Sequence, residues 1–299
     1  MTSSTVQAAV DCHRQGRLAE AERLYRSILS HEPNQFEALH YLGLLKLQQG
    51  NPSEAFALIS AALKSRPNAS DAMCNLGAAL LGLDRAAEAL AICDRVLSIN
   101  PADDEARYNR AAALMQLRRY DEALEGFDKV LASRPRHVNA LFNRGNVLAG
   151  LGRFSDAVSS YDKALAVLPQ FLPAALNRAN ALLKLERFEE ALRAYDKVLM
   201  QTPSQAEALN GRAICLKELG RYDEALAVCE QVLAASPNHL GALNTKGNTL
   251  LQLHCPLEAL AAFGRALGIA PTDADLLTNR AFALHAPIGE NTKKYSSTR

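Results

Sequence analysis

The sequence predicts an all-α fold, an α-solenoid of stacked helix-turn-helix hairpins, and three observations carry that expectation. Eight of the twelve prolines (Pro33, Pro67, Pro101, Pro135, Pro169, Pro203, Pro237, Pro271) stand 34 residues apart. Alanine recurs at the same step in Ala21, Ala55, Ala89, Ala123, Ala157, Ala191, Ala225 and Ala259. Within one period, apolar residues fall at helical spacing in two blocks: Leu141, Leu148 and Leu151, then the break Gly152-Arg153, then Val158, Tyr161 and Leu165. A fixed period of this length marks a chain whose units cannot each bury an apolar face alone and therefore stack on their neighbours.

Counting each unit so that the recurring proline is its residue 32 divides the chain into eight repeats, 2–35, 36–69, 70–103, 104–137, 138–171, 172–205, 206–239 and 240–273. A partial ninth unit, 274–286, is expected to cap the array, and the tail 287–299 to be disordered, since it has no apolar periodicity. Each column of the frame has a physical reason. Side-chain bulk sets how closely helix axes approach, so the small residues at position 8 (Gly43, Gly77, Ala111, Gly145 and their equivalents) and at position 20 mark helix crossings. Proline at position 32 cannot continue the second helix and turns the chain into the next first helix. Position 19 is acidic in every repeat (Glu20, Glu54, Glu88, Glu122, Asp156, Glu190, Glu224, Glu258). A carboxylate there meets the positive end of the second helix's dipole, worth about 0.3–1 kcal/mol.

Composition narrows the function classes. Lysine plus arginine (33) nearly cancel aspartate plus glutamate (32), and a net charge of +1 provides no field for nucleic acid or an anionic membrane. The longest uncharged apolar stretch, 76–83, is far below the roughly 20 residues that a membrane span needs. The polar start of the chain lacks the layout of a secretory signal, and six scattered cysteines form no C-x-x-C pair. Reduced thiols and a cytoplasmic setting are the expectation. Phosphate-loop, dinucleotide, zinc-protease and nucleophile-elbow motifs are absent from the sequence, and the adjacent His254-Cys255 is too small a set for a metal site. No enzyme, cofactor or metal is expected.

A second pattern crosses the repeats. Position 7 reads Arg110, Arg144, Arg178, Arg212 and Lys246, and position 25 of the preceding repeat reads Asp94, Asp128, Asp162, Asp196 and Glu230. Where that acid is missing, at Arg26 and Ser60, position 7 is Leu42 and Leu76; Arg280 alone follows a glycine, Gly264. Inter-repeat ion pairs are the expectation, from Asp94–Arg110 to Glu230–Lys246. A basic stripe for an acidic ligand is the alternative.

The small residues at positions 8, 20 and 27, the aromatic at 24 (Tyr25, Phe127, Tyr161, Tyr195, Phe263) and the proline at 32 resemble the tetratricopeptide repeat. The resemblance covers residues 2 to about 285, although no repeat carries the family's tryptophan at position 4 and the first repeat is degenerate. It implies a right-handed superhelix whose inner wall is made by the first helices, and a scaffold that binds an extended peptide or partner protein there. The inward positions would include position 6 (Asn75, Asn109, Asn143, Asn177, Asn279) and position 9 (Asn146, Asn180, Asn248). Carboxamides both donate and accept, so a row of them could hold a peptide backbone, with Tyr108 and Phe142 offering apolar pockets. The alternative is that they bond neighbouring helices. Position 5 holds no lysine in any repeat, which argues against a clamp for a chaperone's C-terminal carboxylate. The repeat style is also similar to arrays that precede O-linked N-acetylglucosamine transferase-like catalytic regions in bacteria, so a stand-alone or truncated substrate-binding arm is the alternative function.

Overall fold

The structure is a computed structural model and describes residues 2–287, so the expected disordered tail lies, from residue 288 on, outside the described residues. Among the described residues there are seventeen α-helices and no strand. They divide into two compact units, Met1–Leu151 and Gly152–Arg299. The first unit holds α1 (Thr2–Arg14), α2 (Leu18–His31), α3 (Phe36–Gln48), α4 (Pro52–Ser65), α5 (Ser70–Gly82), α6 (Ala86–Ile99), α7 (Asp104–Gln116), α8 (Tyr120–Ser133) and α9 (Val138–Gly150). The second holds α10 (Phe154–Val167), α11 (Leu172–Lys184), α12 (Phe188–Gln201), α13 (Ala206–Glu218), α14 (Tyr222–Ala235), α15 (Leu240–Gln252), α16 (Pro256–Ile269) and α17 (Ala274–His285). Odd-numbered A helices start on the first residue of each 34-residue frame, and even-numbered B helices follow them. Within each unit every helix packs on the next along the chain, and each A helix also touches the next A helix.

Position 24 explains the small residues. Tyr25, Ile59, Cys93, Phe127, Tyr161, Tyr195, Cys229 and Phe263 are all 0–1% exposed. At Gly43, Gly77 and Gly247 of position 8, the side chain at 24 of the same hairpin fills the space a methyl would need: a Cβ on Gly247 would sit 2.5 Å from Phe263, and one on Gly77 would sit 3.2 Å from Cys93 Sγ. The eight alanines of position 20 are 0% exposed, at the place where the two helices of a hairpin meet. Burial makes several of these groups chemically inert, with the Cys93 and Cys229 thiols pushed up to about 12.

Every A helix that leads into a B helix ends in one residue of left-handed backbone at position 15: Gly16, Gly50, Asp84, Arg118, Gly152, Glu186, Gly220 and His254, with φ between 57° and 74°. The amide of Arg119 then reaches back to the Leu114 carbonyl (2.9 Å) and that of Arg118 to Met115 (3.0 Å), the nested pair of bonds that satisfies a helix C-terminus. His254 thus belongs to a turn, and Cys255 beside it is buried at the start of α16. Five A helices, α3, α7, α9, α15 and α17, begin on capping side chains: Asp103 accepts from the Ala106 amide at 2.9 Å, and His137 Nδ1 accepts from Ala140 at 3.1 Å. Six of the eight position-19 acids pair with the arginine that opens helix B, as in the two-pronged contact of Arg119 with Glu122 at 2.7 Å; Glu54 follows Asn51 and Glu258 follows Cys255 instead.

Candidate functional site

The residues singled out by the sequence lie on two seams between successive repeats. The first runs from each B helix to the next A helix. Arg110 Nε lies 2.6 Å from Asp94, Arg144 2.6 Å from Asp128, Arg178 2.5 Å from Asp162, Arg212 2.8 Å from Asp196, and Lys246 Nζ 2.5 Å from Glu230. The bases are 23–33% exposed and the acids about half exposed, so each pair sits at the rim of its junction and not in the core. In each arginine pair Nε donates to one carboxylate oxygen. Arg280, which follows Gly264, is exposed.

A second seam joins A helix to A helix, through residues 35 apart. Asn75 Nδ2 lies 2.8 Å from His40 Nε2, Asn109 Nδ2 donates to the Cys74 carbonyl at 3.2 Å, and Asn143 Nδ2 donates to the Tyr108 hydroxyl at 3.0 Å. In the second unit Thr245 donates to Asn210 Oδ1 at 3.1 Å and Asn279 to Asn244 Oδ1 at 3.0 Å. Position 6 of one repeat therefore bonds position 5 of the repeat before it. Burial lowers the His40 pKa from its usual value, and a neutral ring nitrogen is what accepts the Asn75 bond.

These contacts sort the asparagines. Asn109 is 3% exposed, so a partner has almost none of it to reach, and the bond to a neighbouring helix describes its geometry instead of a place on a ligand-facing row. Asn75, Asn143, Asn146 and Asn177 are half-buried, as are Tyr108 and Phe142. Asn177 is hydrogen-bonded to the buried Tyr161 hydroxyl. Asn180 is held at both ends: Tyr195 Oη donates to its Oδ1 at 2.6 Å, and its Nδ2 donates to Glu207 at 3.0 Å. Asn248 donates to Asn244 one turn earlier at 3.2 Å. Gly211 replaces the asparagine of position 6 because the Tyr195 ring occupies the volume of any side chain there.

One group in the structure escaped the sequence reading. Lys46 is 7% exposed, with Nζ 2.6 Å from Glu22, 3.0 Å from Gln49 and 3.6 Å from Glu54. The bond from Lys46 holds the Glu22 carboxyl down at about 2. The signal was available: position 11 is leucine in the six repeats that follow (Leu80, Leu114, Leu148, Leu182, Leu216, Leu250), and lysine in a buried leucine column demands a partner. No group of three or more metal-binding side chains occurs among the described residues, and no helix there is long and apolar enough to cross a membrane.

With hairpins, small-residue crossings and A-helix seams in place, the sequence model of the tetratricopeptide repeat matches residues 14–70, 42–104, 108–170 and 176–239. The chain belongs to the tetratricopeptide repeat family. Solved structures are similar in fold. A tetratricopeptide repeat protein from Parabacteroides merdae shares 21% identity over 83% of this chain and 98% of its own, with a TM-score of 0.59. A chain of the Cut9–Hcn1 hetero-tetramer of the APC/C shares 16% identity over 94% of this chain and 55% of its own, with a TM-score of 0.66. YrrB, a tetratricopeptide protein with an unusual peptide-binding site, shares 25% identity over 64% of this chain and 96% of its own, with a TM-score of 0.53. Among curated proteins, none matches this sequence. The fold is that of a protein-interaction scaffold.

Proposed function

We propose that this protein is an adaptor that holds an extended peptide, or an extended segment of a partner protein, against the A helices. One observation carries the reading: the half-buried side chains on successive A helices are tied from repeat to repeat, as Asn143 is to Tyr108 at 3.0 Å. A carboxamide that gives one N–H to its neighbour still has a second N–H and an oxygen to offer a peptide backbone. Because the neighbour fixes its rotamer, little side-chain entropy is lost on binding. Tyr108 and Phe142 supply apolar surface between Asn75, Asn143 and Asn146 in the first unit. Asn177, Asn180, Asn248 and Asn279 are the corresponding set of the second unit. The peptide-binding site of YrrB, at 25% identity, adds weight to a peptide as the ligand.

The five acid–base pairs from Asp94–Arg110 to Glu230–Lys246 serve the same end in this reading. They fix the register of each A helix on the preceding B helix and so keep the A-helix faces in phase.

The test compares wild type with Asn75→Ala/Asn143→Ala/Asn146→Ala in partner recovery from extracts of the native source, with thermal melting as the control. Loss of the recovered partners at an unchanged melting temperature is the expected result. Equal recovery by both proteins removes the peptide-contact role. Asn109 stays untouched, because replacing a buried group would confuse stability with binding.

A further inference from the structure

Position 4 of the repeat frame behaves as a plug between hairpins. In five repeats it is a large apolar residue, Leu39, Met73, Leu141, Leu209 or Leu243, each 0–6% exposed. Three repeats depart from this, with Thr5 in the first, Arg107 in α7 and Ala175 in α11, and of these only the last two have a repeat before them to pack against. At each of these two places the surface is hollow, by about 400 Å³ beside Arg107 and about 310 Å³ beside Ala175. A hollow thus accompanies the missing plug in both of these repeats, although another, of about 400 Å³ beside Arg85 and Leu117, opens away from position 4.

The two hollows differ in chemistry. Arg107 fills its own with charge, pairing with Asp104 at 2.9 Å and donating to the Pro101 carbonyl at 2.5 Å, and nearby Lys129 is held by Glu125 at 2.6 Å. The hollow at Ala175 has an apolar floor of Leu165, Pro169, Ala175 and Ala194, with Lys197 and Gln201 at its edge. On one side the Asp162–Arg178 pair, 2.5 Å apart, closes it with no net charge. Position 22, which supplies Glu125 in α8, is Arg193 in α12, four residues before Lys197. Arg193 follows Glu189 and Glu190 by one helical turn, and Glu190, bonded to Arg187 at 2.7 Å, also feels the charge of Arg193. Lys197, at the edge of the hollow and exposed, is therefore the cation left to attract an acidic ligand there.

We propose that the hollow at Ala175 is a second binding site, separate from the A-helix face, which takes one aliphatic side chain of an acidic peptide segment. The side chain occupies the place that leucine fills in other repeats. The flanking carboxylates meet Lys197. At about 310 Å³ the hollow has room for an aliphatic side chain together with part of the backbone that carries it.

The experiment uses the full chain and two acetylated, amidated pentapeptides, Glu-Glu-Leu-Glu-Glu and Glu-Glu-Ser-Glu-Glu, titrated by amide NMR. The leucine peptide is expected to shift the signals of Ala175, Ala194 and Lys197, and to bind about tenfold or more tightly than the serine peptide. Ala175→Leu restores the plug found in five other repeats, so it should keep or raise the melting temperature while weakening the leucine peptide about tenfold. Lys197→Glu should weaken both peptides, most strongly at low salt. Equal affinity for the two peptides overturns the proposal, as does unchanged binding to Ala175→Leu. Competition by an oligouridylate that is equally effective on wild type and Ala175→Leu overturns it too, because the site would then read charge alone. Ala194 and Lys197 lie on α12, a B helix, so their signals read this site apart from the peptide groove, whose residues lie on the A helices.

Discussion

The junction between α2 and α3 and the five later junctions built on an acid–base pair join repeats by opposite placements of charge. In the first, position 7 is Leu42, 2% exposed, and the cation has moved to Lys46, whose side chain is 8% exposed between Glu22 and Glu54. In the others, position 7 is a base at 23–33% exposure facing one half-exposed acid. The same residue types thus meet very different dielectrics. A charge removed from a half-buried cluster strands its partners away from water, whereas one removed at the rim is replaced by solvent.

The largest effect is expected at Lys46. Lys46→Ala should destabilise the first hairpins by about 1–2 kcal/mol, since two carboxylates lose their buried cation and keep only the exposed cation Arg26, 2.9 and 3.0 Å away. Denaturant unfolding, with hydrogen exchange in α3 as the local probe, measures this; a loss no larger than that of a rim pair breaks the comparison. Acid should act at the same place. Glu22 is held down from its ordinary 4.5 to about 2, so the unfolded chain binds a proton first as pH falls. The stability contributed by Glu22 is full above about 4.5 and is lost as pH falls from there through about 2. Glu22→Gln should flatten that part of the profile of melting temperature against pH, and an unchanged slope would assign the acid sensitivity elsewhere.

At the rim, Asp162→Ala should cost only about 0.5 kcal/mol in denaturant titration. The double variant Asp162→Ala/Arg178→Leu copies the pattern of Leu42 and Leu76 and should return to within about 0.5 kcal/mol of wild type. A deficit well above that would mean that the pair carries more than its exposure suggests. The smallest effect sets a baseline outside either kind of junction. Glu186→Gly relieves a left-handed residue in a turn and should stabilise by a few tenths of a kcal/mol up to about 1, read from the same titration.

The repeat frame was plain in the sequence because prolines, alanines and leucines report on one hairpin at a time, and every hairpin repeats the message. The acid and base of the rim pairs are 16 residues apart along a fixed frame, a regularity that also needs no structure. Contacts 35 residues apart across the A helices were harder. A carboxamide on a helix can bond a neighbour, a ligand or both, and the bond from Asn143 to Tyr108 and the burial of Asn109 are visible only in the structure. Lys46 is one departure from a leucine column, and its partners Glu22 and Glu54 lie on other helices, so the cluster has no local pattern in the sequence. The hollow at Ala175 needed both its column and the open space beside it.

The left-handed turn residues have a practical side. A Cβ placed on Gly16, Gly50, Gly152 or Gly220 would find nothing within 4 Å, while Asp84, Arg118, Glu186 and His254 already carry side chains in that backbone. Since all six native cysteines are buried, a thiol introduced by Arg118→Cys would be the one within reach of a maleimide dye. Each hairpin therefore brings its own handle, and fluorophores attached two at a time could follow the unravelling of chosen repeats under force or denaturant without disturbing the packing that holds them together.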